Sequence, residues 1–260
     1  MESEQAQQAL QHGQDLLTAG DAAAARPWLE RAGRIAPDDD IALLPLALAL
    51  LALGDPAAAD AFARLAARHD VREVWIGLAA ARHRLGEAAA AAAALAAGLA
   101  RHSLPEDAEA PGLADTIVAR AGAAGWCGLR ADGTVLARKL LGGGGRPIMQ
   151  ADGTALRGRR VPPGTQRVDV TVDGRALLGS PIEVAKIRRI EGFVGCRDGG
   201  IEGWAWHPGE AGRDPVLLIE PLHGPGPTRR IVATDRDMTV PRPLARPRRF
   251  VVNAASTPAQ

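Results

Sequence analysis

Residues 54–86 read GDPAAADAFARLAARHDVREVWIGLAAARHRLG, and this stretch decides the fold of the first half of the chain. It opens on Gly54-Asp55 after LALLAL and closes on Gly86-Glu87 after AARHRL, 32 residues apart. Outward toward the N-terminus, Gly20-Asp21 after DLLTA stands in the same setting, 34 residues before Gly54. Glycine tolerates the left-handed backbone that ends a helix. Three such turns in one phase predict three helix pairs, because a helix-rich segment without a repeat shows only the 3.6-residue period.

A period of ~34 residues resembles the tetratricopeptide repeat, in which two antiparallel helices meet at a tight turn and small residues let them approach. In the first unit Gly13, Ala25 and Ala32 take the small positions, Leu29 the large apolar one and Pro37 the closing one. The second unit has Ala47, Ala59 and Ala66, with Ala63 at the large position and Val71 in place of proline. The third has Trp75 and Leu78 in W-x-x-L spacing, then Ala79, Ala91, Leu95 and Gly98. A fourth apolar helix, Leu113 to Ala121, caps the open end, and Pro45 starts or kinks the helix over Ile41 to Leu53. His12, His69, His83 and His102 are scattered singly and read as solvated side chains.

Farther out, composition separates the two halves. Residues 1–110 carry 16 acidic and 9 basic side chains and residues 111–260 carry 14 and 22, so a net charge of +1 conceals −7 against +8. The halves therefore attract each other or different partners. Lysine occurs only at 139 and 186 while arginine is abundant, a bias of coding composition more than of a nucleic-acid surface. The start, MESEQAQQALQHGQ, lacks the basic and then apolar pattern of a signal peptide, and the longest apolar run, Ile41 to Leu53, is too short to span a bilayer. Two cysteines, Cys127 and Cys196, make neither a disulfide framework nor a metal site and read as buried thiols of a reducing compartment. The expectation is a soluble, cytoplasmic chain.

From Trp126 onward the helical period stops, and Asp132-Gly133, Asp152-Gly153, Asp173-Gly174 and Gly199-Gly200 mark hairpin turns. In VDVTVDGRALLGSPIEV, Val168, Val170 and Val172 alternate with polar residues, the pattern of a half-buried strand. A second series, IEGFVGCRDGGIEGWAWHP, Val216 to Glu220, Arg230 to Ala233 and Arg249 to Asn253, stops without a comparable closing hairpin. The expected fold is α+β in two parts: tetratricopeptide-like helices over 1–122, then antiparallel β-sandwich-like modules over 123–189 and 190–260. The second module reads as unfinished, so the chain is expected to be the front of a longer or split protein.

Two groups carry candidate chemistry. Trp204 and Trp206 in GWAWHP share one side of a strand and present a stacking platform for a sugar ring, the alternative being two rings that fill a core. Asp235 and Asp237 match the Asp-x-Asp pair that holds the metal of a nucleotide-sugar, a weak signal without the parallel α/β pattern that such sites need. Gly142 to Gly145 lack the Gly-Lys-Ser/Thr of a phosphate loop and read as a linker. The clusters Arg157/Arg159/Arg160, Lys186/Arg188/Arg189 and Arg242/Arg246/Arg248/Arg249 have no interleaved aromatics and read as solvated faces. No GxSxG, HExxH or paired CxxC is present, so no catalytic residue and no cofactor is assigned.

The stretches GDAAAARPWLERAGRIAPDD, RLAARHDVREVWIGLAAARHRLG, GWCGL, LLGSPIEV, RRIEGFVGCRDGGIEGWAWHP and LARPRRF resemble the non-catalytic N-terminal region of large alphaproteobacterial glycosyltransferases. The resemblance implies helical repeats and a GWAW-type β region standing before a nucleotide-sugar-dependent transferase domain. His207 takes a position that is often acidic in that pattern, and no ligand is carried over. The expected function is a scaffold with a protein partner, a glycosyltransferase of surface-polysaccharide synthesis, and no nucleic-acid partner. A carbohydrate-binding module and a metal-dependent glycosyltransferase are the alternatives.

Overall fold

A computed structural model describes residues 2–37, 40–105, 112–197, 200–220, 228–236 and 244–252. The chain is α+β, helices first and antiparallel sheets after, and it divides into two compact units, residues 1–186 and 187–260.

The first unit begins with six helices: α1 (Glu2–Thr18), α2 (Ala22–Ile35), α3 (Asp40–Leu53), α4 (Ala57–Arg68), α5 (Arg72–Arg84) and α6 (Ala88–Arg101). Each packs on the next, and α1, α3 and α5 also touch in succession. Gly20, Gly54 and Gly86 turn the chain between the members of each pair with φ of 85°, 72° and 78°, where a Cβ would be strained. The Asp21 carboxylate accepts the Ala24 N–H at 2.9 Å and so starts α2. Helix α3 already begins at Asp40, so Pro45 lies inside it, buried, and does not start it.

Small residues set the helix spacing. Gly13 faces Leu29, Gly77 faces the Phe62 ring, and Gly98 faces Trp75. The large side chain of the second pair is therefore Phe62, which is fully buried, and not the Ala63 of the sequence pattern.

The open ends of the second and third pairs are closed alike. The Asp40 carboxylate at the start of α3 accepts Arg68 at 2.9 Å and His69 Nε2 at 2.8 Å from the end of α4. The Asp70 carboxylate, just before α5, accepts Trp75 Nε1 at 2.9 Å and His102 Nε2 at 3.1 Å, with Arg101 at 3.5 Å. A carboxylate only accepts, so Nε2 carries the proton in both histidines. These histidines are clamps, not the solvated side chains expected from the sequence.

Helix α7 (Leu113–Arg120) follows, then the hairpin of β1 (Gly125–Leu129) and β2 (Val135–Lys139). Strand β1 is buried throughout, and one core joins it to the helices through Leu95, Leu99, Ile117, Val118, Trp126 and Leu136. A four-stranded sheet has the order β4-β3-β5-β6, from β3 (Ile148–Ala151), β4 (Thr154–Ala155), β5 (Val168–Val172) and β6 (Arg175–Ala176). In β5 the three valines are buried and the residues between them are not, the alternation expected of a strand with one covered face.

A helical turn, α8 (Val184–Ile187), precedes the second unit. There β7 (Glu191–Arg197), β8 (Gly200–Trp206) and β11 (Arg248–Val252) form an antiparallel sheet in the order β11-β8-β7, and β9 (Val216–Ile219) pairs with β10 (Arg229–Val232). Ala205, Ala233 and Phe250 make its core, with Ile201, Leu217 and Val252 packed against them. Among the described residues no helix is long and apolar enough to cross a membrane.

The two cysteines differ, contrary to the expectation of two buried thiols. Cys127 sits in the buried strand β1, and burial pushes its thiol up to about 12. Cys196 is exposed because β7 is the outer strand of its sheet. A disulfide reagent of the Ellman type at neutral pH is expected to modify one thiol rapidly in the native chain and two in denaturant. Loss of the rapid native reaction in Cys196→Ser confirms the assignment; rapid reaction of Cys127 refutes it.

Candidate functional site

The first candidate lies within the helical unit. A cavity of about 570 Å³ is walled by Leu48 and Leu51 of α3, Ile76 of α5, Leu99 of α6, Leu113 of α7 and Trp126 of β1. That volume is in the range of ligand-sized pockets. Its polar lining includes Arg72, Glu73, His102 and Asp115. Asp115 is held in place by Trp126 Nε1 at 2.8 Å and Arg138 at 3.0 Å, and Arg72 donates to the Ser103 carbonyl at 3.3 Å.

An apolar stripe leads into this cavity. Helix α3, DIALLPLALALLAL, is apolar almost all round, and its buried residues are Asp40 at its start and then Ala42, Pro45, Ala47, Ala49 and Leu50. Ile41, Leu44, Leu48 and Leu51, spaced three, four and three, form a stripe that stays at least partly exposed; Ile41 is 44% and Leu48 38% exposed. A helix without a polar face that keeps an exposed apolar stripe has surface to cover. Such a wall and stripe can take apolar side chains from a protein segment, while Arg72, Glu73 and Asp115 supply polar contacts.

The second candidate is the tryptophan pair. Trp204 and Trp206 both point to one side of β8 and Ala205 to the other, as strand geometry requires. Their surroundings differ. Trp206 lies in a buried run from Ala205 through Glu210 and is only 6% exposed, which leaves Trp204 as the ring that reaches solvent. The residues beside Trp204 are Phe193 of β7 and Arg249 of β11.

His207, next in the chain, is buried and held below the usual histidine range by desolvation and then by the charge of Arg213. Asp235 lies on the surface, where its backbone carbonyl accepts the Arg249 N–H at 2.7 Å; Asp237 lies outside the described residues. Among the described residues no group of three or more His, Cys, Asp or Glu side chains is placed to hold a metal ion.

Of the arginine clusters, Arg157, Arg159 and Arg160 are exposed as expected, and Arg242 lies outside the described residues. Arg248 departs from its expected solvated face. It is buried, with Nε on Asp214 at 2.8 Å, Nη1 on the Arg246 carbonyl at 2.8 Å and Nη2 on that of Ala211 at 3.2 Å. Asp214 is held below the usual carboxylate range by that hydrogen bond. Burial of this guanidinium is tolerated because each nitrogen has an acceptor.

Neither the cavity nor Phe193 was evident in the sequence. The residues of the cavity come from five elements, and Phe193 looks like any apolar residue of a strand until its place on the outer strand of the sheet is seen. No protein-family model, curated protein or solved structure matches the chain.

Proposed function

We propose that the chain is an interaction scaffold: a tetratricopeptide-like helical array that grips a protein partner, followed by β-sandwich-like modules. The partner is a glycosyltransferase of surface-polysaccharide synthesis, and the assembly works in the cytoplasm. The observation that carries this reading is the apolar stripe of α3 running into the cavity beside α5. The repeated glycine turns and the facing pairs of small and large residues support the array, and the six stretches named above support the partner class.

Titration calorimetry of the full chain with a purified glycosyltransferase domain encoded at the same locus tests it. Leu48→Glu places a charge on an exposed position of the stripe and is expected to weaken binding at least tenfold, about 1.4 kcal/mol, without lowering the melting temperature. Absence of heat with the unmodified chain, or equal affinity for the variant, rejects the reading.

A further inference from the structure

On one face of the sheet of the second unit, toward its outer strand, solvent reaches a group of residues whose composition is unusual for a surface. Its central row is Phe193, Trp204 and Arg249, and the next row is Gly195, Glu202 and Val251. Phe193 is 60% and Val251 54% exposed. The Phe193 ring leans across Gly195: a methyl group built there would lie 3.2 and 3.5 Å from two of the ring carbons. The ring therefore leans along the strand, beside the partly exposed Trp204.

The polar residues of this face have mixed sign. Glu202 stands 3.7 Å from Arg249 and 3.6 Å from Arg197. These separations exceed hydrogen-bond length, so Glu202 and Arg249 keep acceptor and donor capacity directed at the same surface. A polyanion would meet the Glu202 carboxylate in the middle of the row, and a polycation would meet the arginines. An uncharged polyol with one apolar side matches the whole arrangement.

We propose that this face is a stacking platform for the pyranose rings of a neutral polysaccharide. The axial C–H bonds of a pyranose make an apolar patch that packs on the Phe193 and Trp204 rings, since aromatic faces carry negative charge density that favours C–H. Its hydroxyls then reach Glu202 and Arg249 at the edge. The platform differs from the Trp204–Trp206 pair, because Trp206 is closed off and Phe193 takes its place. It stands whether or not the helical unit binds a glycosyltransferase.

Affinity electrophoresis of the full chain in native gels containing dextran, hydroxyethylcellulose or galactomannan, with dextran sulfate as the polyanion, tests this. Retardation is expected with at least one neutral polymer. Phe193→Ala is expected to weaken it about tenfold, and Leu218→Ala, at an exposed position on β9, to leave it unchanged. Glu202→Gln is expected to weaken it without altering the melting temperature. Retardation by dextran sulfate alone, no retardation by any neutral polymer, or unchanged retardation of Phe193→Ala overturns the proposal. So does a dimer that Phe193→Ala abolishes in a chain that no neutral polymer retards, since the face then belongs to a second copy.

Discussion

Replacing Phe62 with alanine is expected to lower the free energy of unfolding of the helical unit by about 3–5 kcal/mol, read from urea melts followed by far-UV circular dichroism. The ring is fully buried on α4 and lies over Gly77 of α5. A methyl group at Gly77 would come within 2.8 Å of Cδ1 and closer still to Cε1 and Cζ. The ring and the missing side chain are thus two halves of one contact, and truncating the ring opens a cavity between the helices that backbone shifts only partly close. Gly77→Ala attacks the same contact from the other side and is expected to cost about 1–3 kcal/mol through overpacking. Because both act on one space, Phe62→Leu combined with Gly77→Ala is expected to cost less than the two singles together, by about 0.5–3 kcal/mol. Strict additivity would show that the residues do not share a contact.

This contact also shows where sequence reading stops. The turns at Gly20, Gly54 and Gly86 were legible because a glycine before an acid, repeated in phase, is a local signal. The assignment of the large residue slipped by one, to Ala63, because Ala61, Phe62 and Ala63 are all compatible with an apolar helix face. Only the opposing Gly77, fifteen positions away, selects among them. Pro45 was ambiguous for a related reason: a helix that is apolar on every side has no periodicity to mark its start, and α3 begins at Asp40 through a contact with the next helix's end.

The β region divides in the same way. Asp-Gly turns and the alternation of Val168, Val170 and Val172 announced the strands, since both are encoded within a few residues. Burial was not encoded there. Trp204 and Trp206 have identical local patterns, yet one reaches solvent and the other lies in a buried run, and Phe193 gains its exposure from lying on the outer strand of its sheet. The cavity was invisible for the strongest reason, as Leu48 and Trp126 come to line one space only after the intervening helices have stacked.

Asp70→Asn is expected to destabilise the chain by about 2 kcal/mol at neutral pH, and the difference is expected to vanish in acid. Burial pushes the Asp70 carboxyl up, but the hydrogen bond and charge of His102, the Trp75 indole and the charge of Arg101 outweigh it and hold the group at about 2, against an ordinary 3.8. A folded value below the unfolded one means that the native state binds the proton less well. The stabilisation is therefore fully present above 3.8 and is lost as pH falls through about 2; the gap between the two values is worth about 2 kcal/mol. Asp40→Asn is expected to act in the same direction, since Asp40 too is lowered against its burial, by His69 and Arg68. Asp60→Asn, on the exposed side of α4, serves as the control. Urea midpoints measured from neutral pH down to pH 2 decide the matter: convergence of wild type and Asp70→Asn in acid supports the clamp, and a constant gap refutes it. The placement explains why an acid and an Arg-His pair occur twice. In an antiparallel helix pair the N-terminus of the first helix lies beside the C-terminus of the second. The carboxylate then meets the positive end of one helix and the cations meet the negative end of the other, so one constellation serves both dipoles and ties the pair shut. In the third pair the same tie fixes His102, which lines the cavity, so loosening it is expected to loosen the wall against which a partner would dock.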